Sequence, residues 1–141
     1  MVLKLVNSDG GNLTMSLKDE VTIPREIIAM VLESARTLHP KETIFLLKGK
    51  AAKNSMIISE LLIPPAATYG RGFSGFPMHM LPMDFSIVGT IHSHPSGSLT
   101  PSPGDLNNSM GRVIIIVAFP YQGENVAAYN RDGKRLTLHV T

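Results

Sequence analysis

Two histidines stand two apart in the stretch Ile91–Asp105, which reads IHSHPSGSLTPSPGD. A strand presents residues i and i+2 on one face, so His92 and His94 can aim both imidazoles at one ion. The Ser-, Pro- and Gly-rich loop after Pro95 can bring the chain back beside them. Ser102-Pro103-Gly104-Asp105 then reads as a helix start, with Ser at N-cap, Pro at N1 and Asp at N3, a variant of the capping box. Two imidazoles and one carboxylate, with no fourth side chain nearby, form the ligand set of a zinc ion that keeps one position open for water. Water on such an ion becomes a good nucleophile near neutral pH, because its pKa falls to about 7. A general base must still carry the water's proton to a leaving amine, and a carboxylate is the usual choice. Glu42 and Glu60 both qualify. Glu42 starts the strand after a long helix, where a residue at a sheet end can reach a cleft. Glu60 lies inside a strand and can face solvent, so pattern alone gives Glu42 a modest edge.

The elements that must position these residues follow from the apolar pattern. Pro24 reads as N1 of a helix whose one face carries Ile27, Ile28, Val31, Leu32, Ala35 and Leu38. His39-Pro40 ends it. Thr43–Lys48 is apolar and β-branched, hence a strand, and Gly49 to Asn54 should turn it. Met56–Ile63 is the next strand, stopped by Pro64-Pro65. Residues 66–77 are rich in Gly, Pro and Ser and read as a mobile loop, and Met78–Leu81 as a short strand. Phe85–His92 is a strand ending at the histidines, and Asp105–Met110 a short helix. Val113–Phe119, Glu124–Asn130 and Arg135–Val140 form a closing β-meander, with Asp132-Gly133 as a hairpin signal. Val2–Val6, Leu13–Leu17 and Val21–Ile23 are further strand candidates. The expected fold is α/β, a mixed β-sheet sandwiched by one long and one short helix.

The chain has 141 residues, the size of one domain with one core, and a single domain over residues 1–141 is expected. There are no cysteines, which excludes a disulfide framework and a thiolate metal site, so a metal must sit on His and carboxylate. The net charge of +2 comes without a Lys/Arg block of the kind that binds nucleic acid. The apolar runs are too short to span a bilayer, and Met1–Val6 lacks the h-region of a signal peptide. No nucleic-acid or membrane partner is expected, and the default location is cytoplasmic.

His92-Ser93-His94-Pro95, six residues, then Ser102-Pro103-Gly104-Asp105 resembles the signature of the JAMM (MPN+) zinc metalloproteases. The resemblance extends upstream to His39-Pro40-Lys41-Glu42 and Thr43–Gly49. It extends further to Met80-Leu81-Pro82, Val88–Ile91 and Tyr129–Gly133, which look like the compact archaeal branch. It implies an MPN, cytidine-deaminase-like architecture. It implies zinc held by His92, His94 and Asp105, Glu42 as general acid/base, and Ser102 as hydrogen-bond donor to the oxyanion. One departure is Phe45, where many members have Gly three residues after the Glu; it bears on the packing behind the base. The implied activity is hydrolysis after the Gly-Gly tail of ubiquitin or a ubiquitin-like protein, so the implied partner is such a protein or its conjugates. Thr68–Leu81 is the expected docking edge for the tail.

Plainer readings stand beside these. His92 and His94 alone could be polar residues at a strand end, Ser102 and Asp105 only a helix cap, and Glu42 a solvated residue past a helix. His39 reads as a C-terminal helix residue interacting with the dipole, and His79 and His139 as surface residues. Phe73, Phe76, Met78 and Met83 belong either to the core or to a patch for a partner or a second copy of the chain, which keeps a homodimer open. Two other functions share the fold: trimming the C-terminus of a sulfur-carrier protein, and a non-catalytic scaffold that binds ubiquitin-like tails. A zinc deaminase is disfavoured, since that chemistry commonly shows paired cysteines.

Overall fold

A computed structural model describes residues 5–6, 12–13, 19–64, 86–107 and 110–141. The expected loop 66–77, the strand at Met78–Leu81, the docking edge at Thr68–Leu81, His79 and the Phe73–Met83 apolar group lie outside the described residues. Two short strands, β1 (Leu5–Val6) and β2 (Asn12–Leu13), pair with each other. They are followed by β3 (Glu20–Ile23), α1 (Arg25–Leu38), β4 (Ile44–Ala51), β5 (Ser55–Leu62) and β6 (Ile87–His94). Then come α2 (Pro103–Asn107), β7 (Val113–Ala118), β8 (Val126–Asn130) and β9 (Arg135–Val140).

Seven strands form one mixed sheet in the order β3-β5-β4-β6-β7-β8-β9, and β3 also pairs with β9, so the sheet closes into a barrel. The mixed sheet and two helices agree with the expected class; the closure is additional. It rests on two parallel pairings of β3, with β5 and with β9.

Alternation along β7 separates two cores. Val113, Ile115 and Val117 join the main cluster with Ile91 of β6 and with Ile27, Ile28, Val31, Leu32 and Ala35 of α1. Ile114 and Ile116 face the other way, into a second cluster with Ala127 and Tyr129 that Leu99 and Leu106 cover. One helix therefore packs on each face. The β6–β7 pairing is parallel, which forces the chain to cross over between them, and α2 lies in that crossover.

Four local expectations need correction. Pro24 is the N-cap of α1 rather than N1: its ψ of 141° is extended, and its carbonyl accepts from the Ile27 and Ile28 amides. Gly49 does not turn the chain. It lies inside β4, where the register against β5 shifts, and a Cβ there would collide with the Ile57 carbonyl. β6 runs on through His94 instead of stopping at His92, because its register against β7 continues to His94 opposite Ala118. In addition, α2 begins at Pro103, directly after its cap.

Candidate metal centre

The parallel register pairs His92 with Ile116 and His94 with Ala118, so both histidines lie on the sheet face that α2 covers. The crossover then brings Asp105 down onto them. Ser102 and Asp105 form a reciprocal cap: the Asp105 amide donates to Ser102 Oγ at 3.0 Å, and the Ser102 amide donates to Asp105 Oδ2 at 2.8 Å. This fixes the carboxylate while leaving both oxygens directed at the imidazoles. His94 Nε2 lies 3.0 Å from Oδ2, and His92 Nε2 lies 3.3 Å from Oδ1. The two Nε2 atoms are 3.1 Å apart.

These separations fit a metal. A tetrahedral zinc with bonds of roughly 2.0–2.2 Å sets its ligands about 3.3 Å apart. His94 Nδ1 donates to the Ser98 carbonyl at 2.8 Å, so in the neutral ring Nε2 carries a lone pair. Two ring nitrogens and a carboxylate oxygen converging this closely need a cation or a proton among them. Among the described residues His92, His94 and Asp105 are the group able to hold an ion, with ligand atoms within 4.8 Å of one another.

The electrostatics agree. Burial alone would raise the Asp105 pKa, yet the hydrogen bonds from His92 and His94, the charge of His92 and the Ser102 amide hold it far below its ordinary value. Burial alone would lower that of His94. The Asp105 hydrogen bond, the Ser98 carbonyl and the charges of Asp105 and Glu42 outweigh it and raise the value.

Glu42 reaches this site through β-sheet register. Ile44 pairs with His92, and continuing the antiparallel ladder by two places sets Glu42 across from His94. The Ser93 amide donates to the Thr43 carbonyl at 3.0 Å, one ladder bond beyond β4, while the Thr43 amide turns to the Ser93 side chain, donating to Oγ at 2.9 Å. Glu60 lies elsewhere: it is exposed on β5 opposite Lys48, whose Nζ is 3.7 Å away. Phe45 pairs with Ile91 and points into the main core, on the face away from the histidines. His139 is a surface residue as expected, 3.1 Å from Glu20 Oε1. His39 is not merely a helix-end residue. Its Nδ1 is 2.8 Å from the Tyr121 hydroxyl and its ring stacks on Phe119. Sequence reasoning missed Tyr121, whose only signal was an aromatic next to Pro120.

A sheet with a helix on each face and a His-His-Asp cluster where β6 and α2 meet defines an α/β domain built around a metal site. Residues 24–132 match the model for prokaryotic homologs of the JAB domain, and the chain belongs to that family. A probable metalloprotease of Haloferax volcanii is 32% identical over 130 residues, 87% of this chain and 81% of that one. A JAB1/MPN domain protein from Archaeoglobus fulgidus is 34% identical, with a TM-score of 0.62 over 85% of this chain and 98% of its own. A structure described as JAMM, a metalloprotease-like zinc site in the proteasome and signalosome, is 33% identical, with a TM-score of 0.61 over 86% and 97%. With these relatives and this donor set, the cofactor is zinc.

Proposed function

We propose that this protein hydrolyses the isopeptide or peptide bond after the Gly-Gly tail of a ubiquitin-like protein. The reading is supported by the convergence of His92, His94 and Asp105 and by the β4–β6 register, which, continued two places past Ile44–His92, sets Glu42 across from His94. His92, His94 and Asp105 hold the ion. Zinc supplies Lewis acidity when bound, activating water and polarising a carbonyl. Glu42 accepts the proton of the attacking water as the new C–O bond forms, then delivers it to the amine as the C–N bond breaks. Ser102 Oγ accepts from the Asp105 amide, which uses a lone pair and leaves the hydroxyl proton free to donate. That proton serves the oxyanion of the tetrahedral intermediate. A Gly-Gly tail suits a narrow approach, since it carries no side chains past the site.

The test is incubation with isopeptide-linked ubiquitin-like conjugates, comparing the protein with Glu42→Ala. Cleavage by the parent and not by the variant is expected. Equal cleavage by both excludes the mechanism. A sulfur-carrier protein extended beyond its Gly-Gly end, offered in the same panel, separates the trimming reading. Tail binding without turnover of any member would mark a scaffold.

A further inference from the structure

Glu42 sits in the irregular stretch between His39, the C-cap of α1, and Ile44, the first residue of β4. A general base on such a stretch is useful only if both sides are held. On its C-terminal side the Thr43–Ser93 hydrogen bonds do this. On its N-terminal side the side-chain anchor is His39, and the atom it meets is the hydroxyl of Tyr121, 82 positions away.

Tyr121 is built into the fold with unusual firmness. It is 1% exposed, and it takes a left-handed φ of 65°, a conformation unfavourable for a bulky side chain. Arg36 Nη2 donates to its carbonyl at 2.6 Å, and its amide donates to the Ala118 carbonyl at 2.7 Å. The same turn touches the metal centre, because the Phe119 amide donates to the His94 carbonyl at 3.1 Å. Packing alone would need only a Phe ring. The hydroxyl, aimed at a ring nitrogen three residues before Glu42, asks for another reason.

We propose that Tyr121, acting through His39, is a positioning residue that sets Glu42 at its working distance from the metal centre. This rests on the general-base reading of Glu42. The electrostatics are in keeping with it. The Tyr121 hydroxyl is pushed up first by burial and then by the Glu42 charge, and that same charge acts on His94. Glu42 is therefore near enough for its charge to reach both the turn and the ligand. Tyr121 itself touches no reacting group.

The experiment uses zinc-loaded protein, the conjugate assay and three single variants: Tyr121→Phe, His39→Phe, which keeps a ring on Phe119, and Glu42→Ala. Tyr121→Phe should lower kcat by about ten- to a hundredfold with KM and zinc affinity unchanged. His39→Phe should do the same, and the double variant should lose no more than either single. Independently of turnover, the NMR amide shifts of Glu42 and Thr43 should move in Tyr121→Phe. Unchanged kcat with unmoved shifts, a loss confined to KM or zinc affinity, or additive losses would overturn the inference. An inactive Glu42→Ala beside an unimpaired Tyr121→Phe would defeat the positioning role alone. A fully active Glu42→Ala would defeat the general-base reading first.

Discussion

The Thr43 amide donates to the hydroxyl of Ser93, a residue that is fully buried between the two histidines of β6. One hydrogen bond of 2.9 Å thus joins the backbone beside the candidate base to the strand that carries the metal ligands. Ser93→Ala leaves the Thr43 amide buried without that partner. The cost of an unsatisfied buried donor is about 1–3 kcal/mol. Thermal unfolding should show that loss, and turnover should fall while zinc affinity holds. A Ser93→Ala protein of unchanged stability would mean that the amide finds another acceptor.

Much of this centre was readable because it is local. The i, i+2 spacing of the histidines and the Ser102–Asp105 cap each need only a few residues in a row, and local geometry then dictates the rest. The same holds for the apolar face of α1. What could not be read depends on pairings across the chain. Glu42 is set across from His94 only by continuing the antiparallel register, so pattern alone gave it little advantage over Glu60 and the family resemblance had to decide. Closure of the barrel rests on β3 beside β9, at opposite ends of the sequence. Gly49 has the same composition signal in a turn and in a bulge, and only the nearness of Ile57 distinguishes them. Tyr121 reaches His39 from a left-handed position that no periodicity foretells.

Chelation, or His94→Ala, should abolish hydrolysis and leave the secondary structure largely intact. His94 is the last residue of β6, and the main core lies on the other face of the sheet. Far-UV circular dichroism with and without chelator checks this. Loss of the sheet signal would mark the metal as structural.

Zinc affinity should weaken as pH falls, and the sign follows from the ligands. His94 has its value raised above 6.5 in the metal-free site, so protons compete with zinc for it from a higher pH than for an ordinary histidine. In the metal-free protein this pair of shifts also shapes stability. The raised His94 contributes stability that is full below its unfolded value and is lost as pH rises through the folded one. Asp105, lowered from 3.8, contributes stability present above that value and lost as pH falls toward its depressed one. Metal-free protein should therefore be favoured by this site at mildly acidic pH, and the gain in melting temperature on adding zinc should grow across neutrality. A zinc-induced shift that shrinks with rising pH between 6 and 8 would contradict the coupling.

Ser102 has two duties that one substitution can separate. Ser102→Ala removes the cap of a five-residue helix, which costs about 0.5–2 kcal/mol. It also removes the proposed oxyanion donor, which should cost on the order of a hundred- to a thousandfold in kcat. Ser102→Thr keeps a hydroxyl and should restore most of both. Steady-state kinetics decide the matter: a Ser102→Ala effect confined to KM would assign the residue to capping and binding only.

Gly89 lies on β6 opposite Val113, and a Cβ there would collide with the Val113 carbonyl and side chain. The obstacle is mostly backbone, so no rotamer change relieves it. Gly89→Ala must push β6 away from β7, and overpacking of this kind costs about 1–3 kcal/mol. The displacement travels along a strand whose far end holds His92 and His94, three and five residues on. Zinc affinity should therefore fall together with melting temperature, whereas Ser102→Ala should change the second and spare the first. Calorimetry and zinc titration on both variants make the comparison. If Gly89→Ala melts early yet binds zinc as tightly as the parent, then the metal ligands are held by the α2 crossover and not by the β6–β7 ladder.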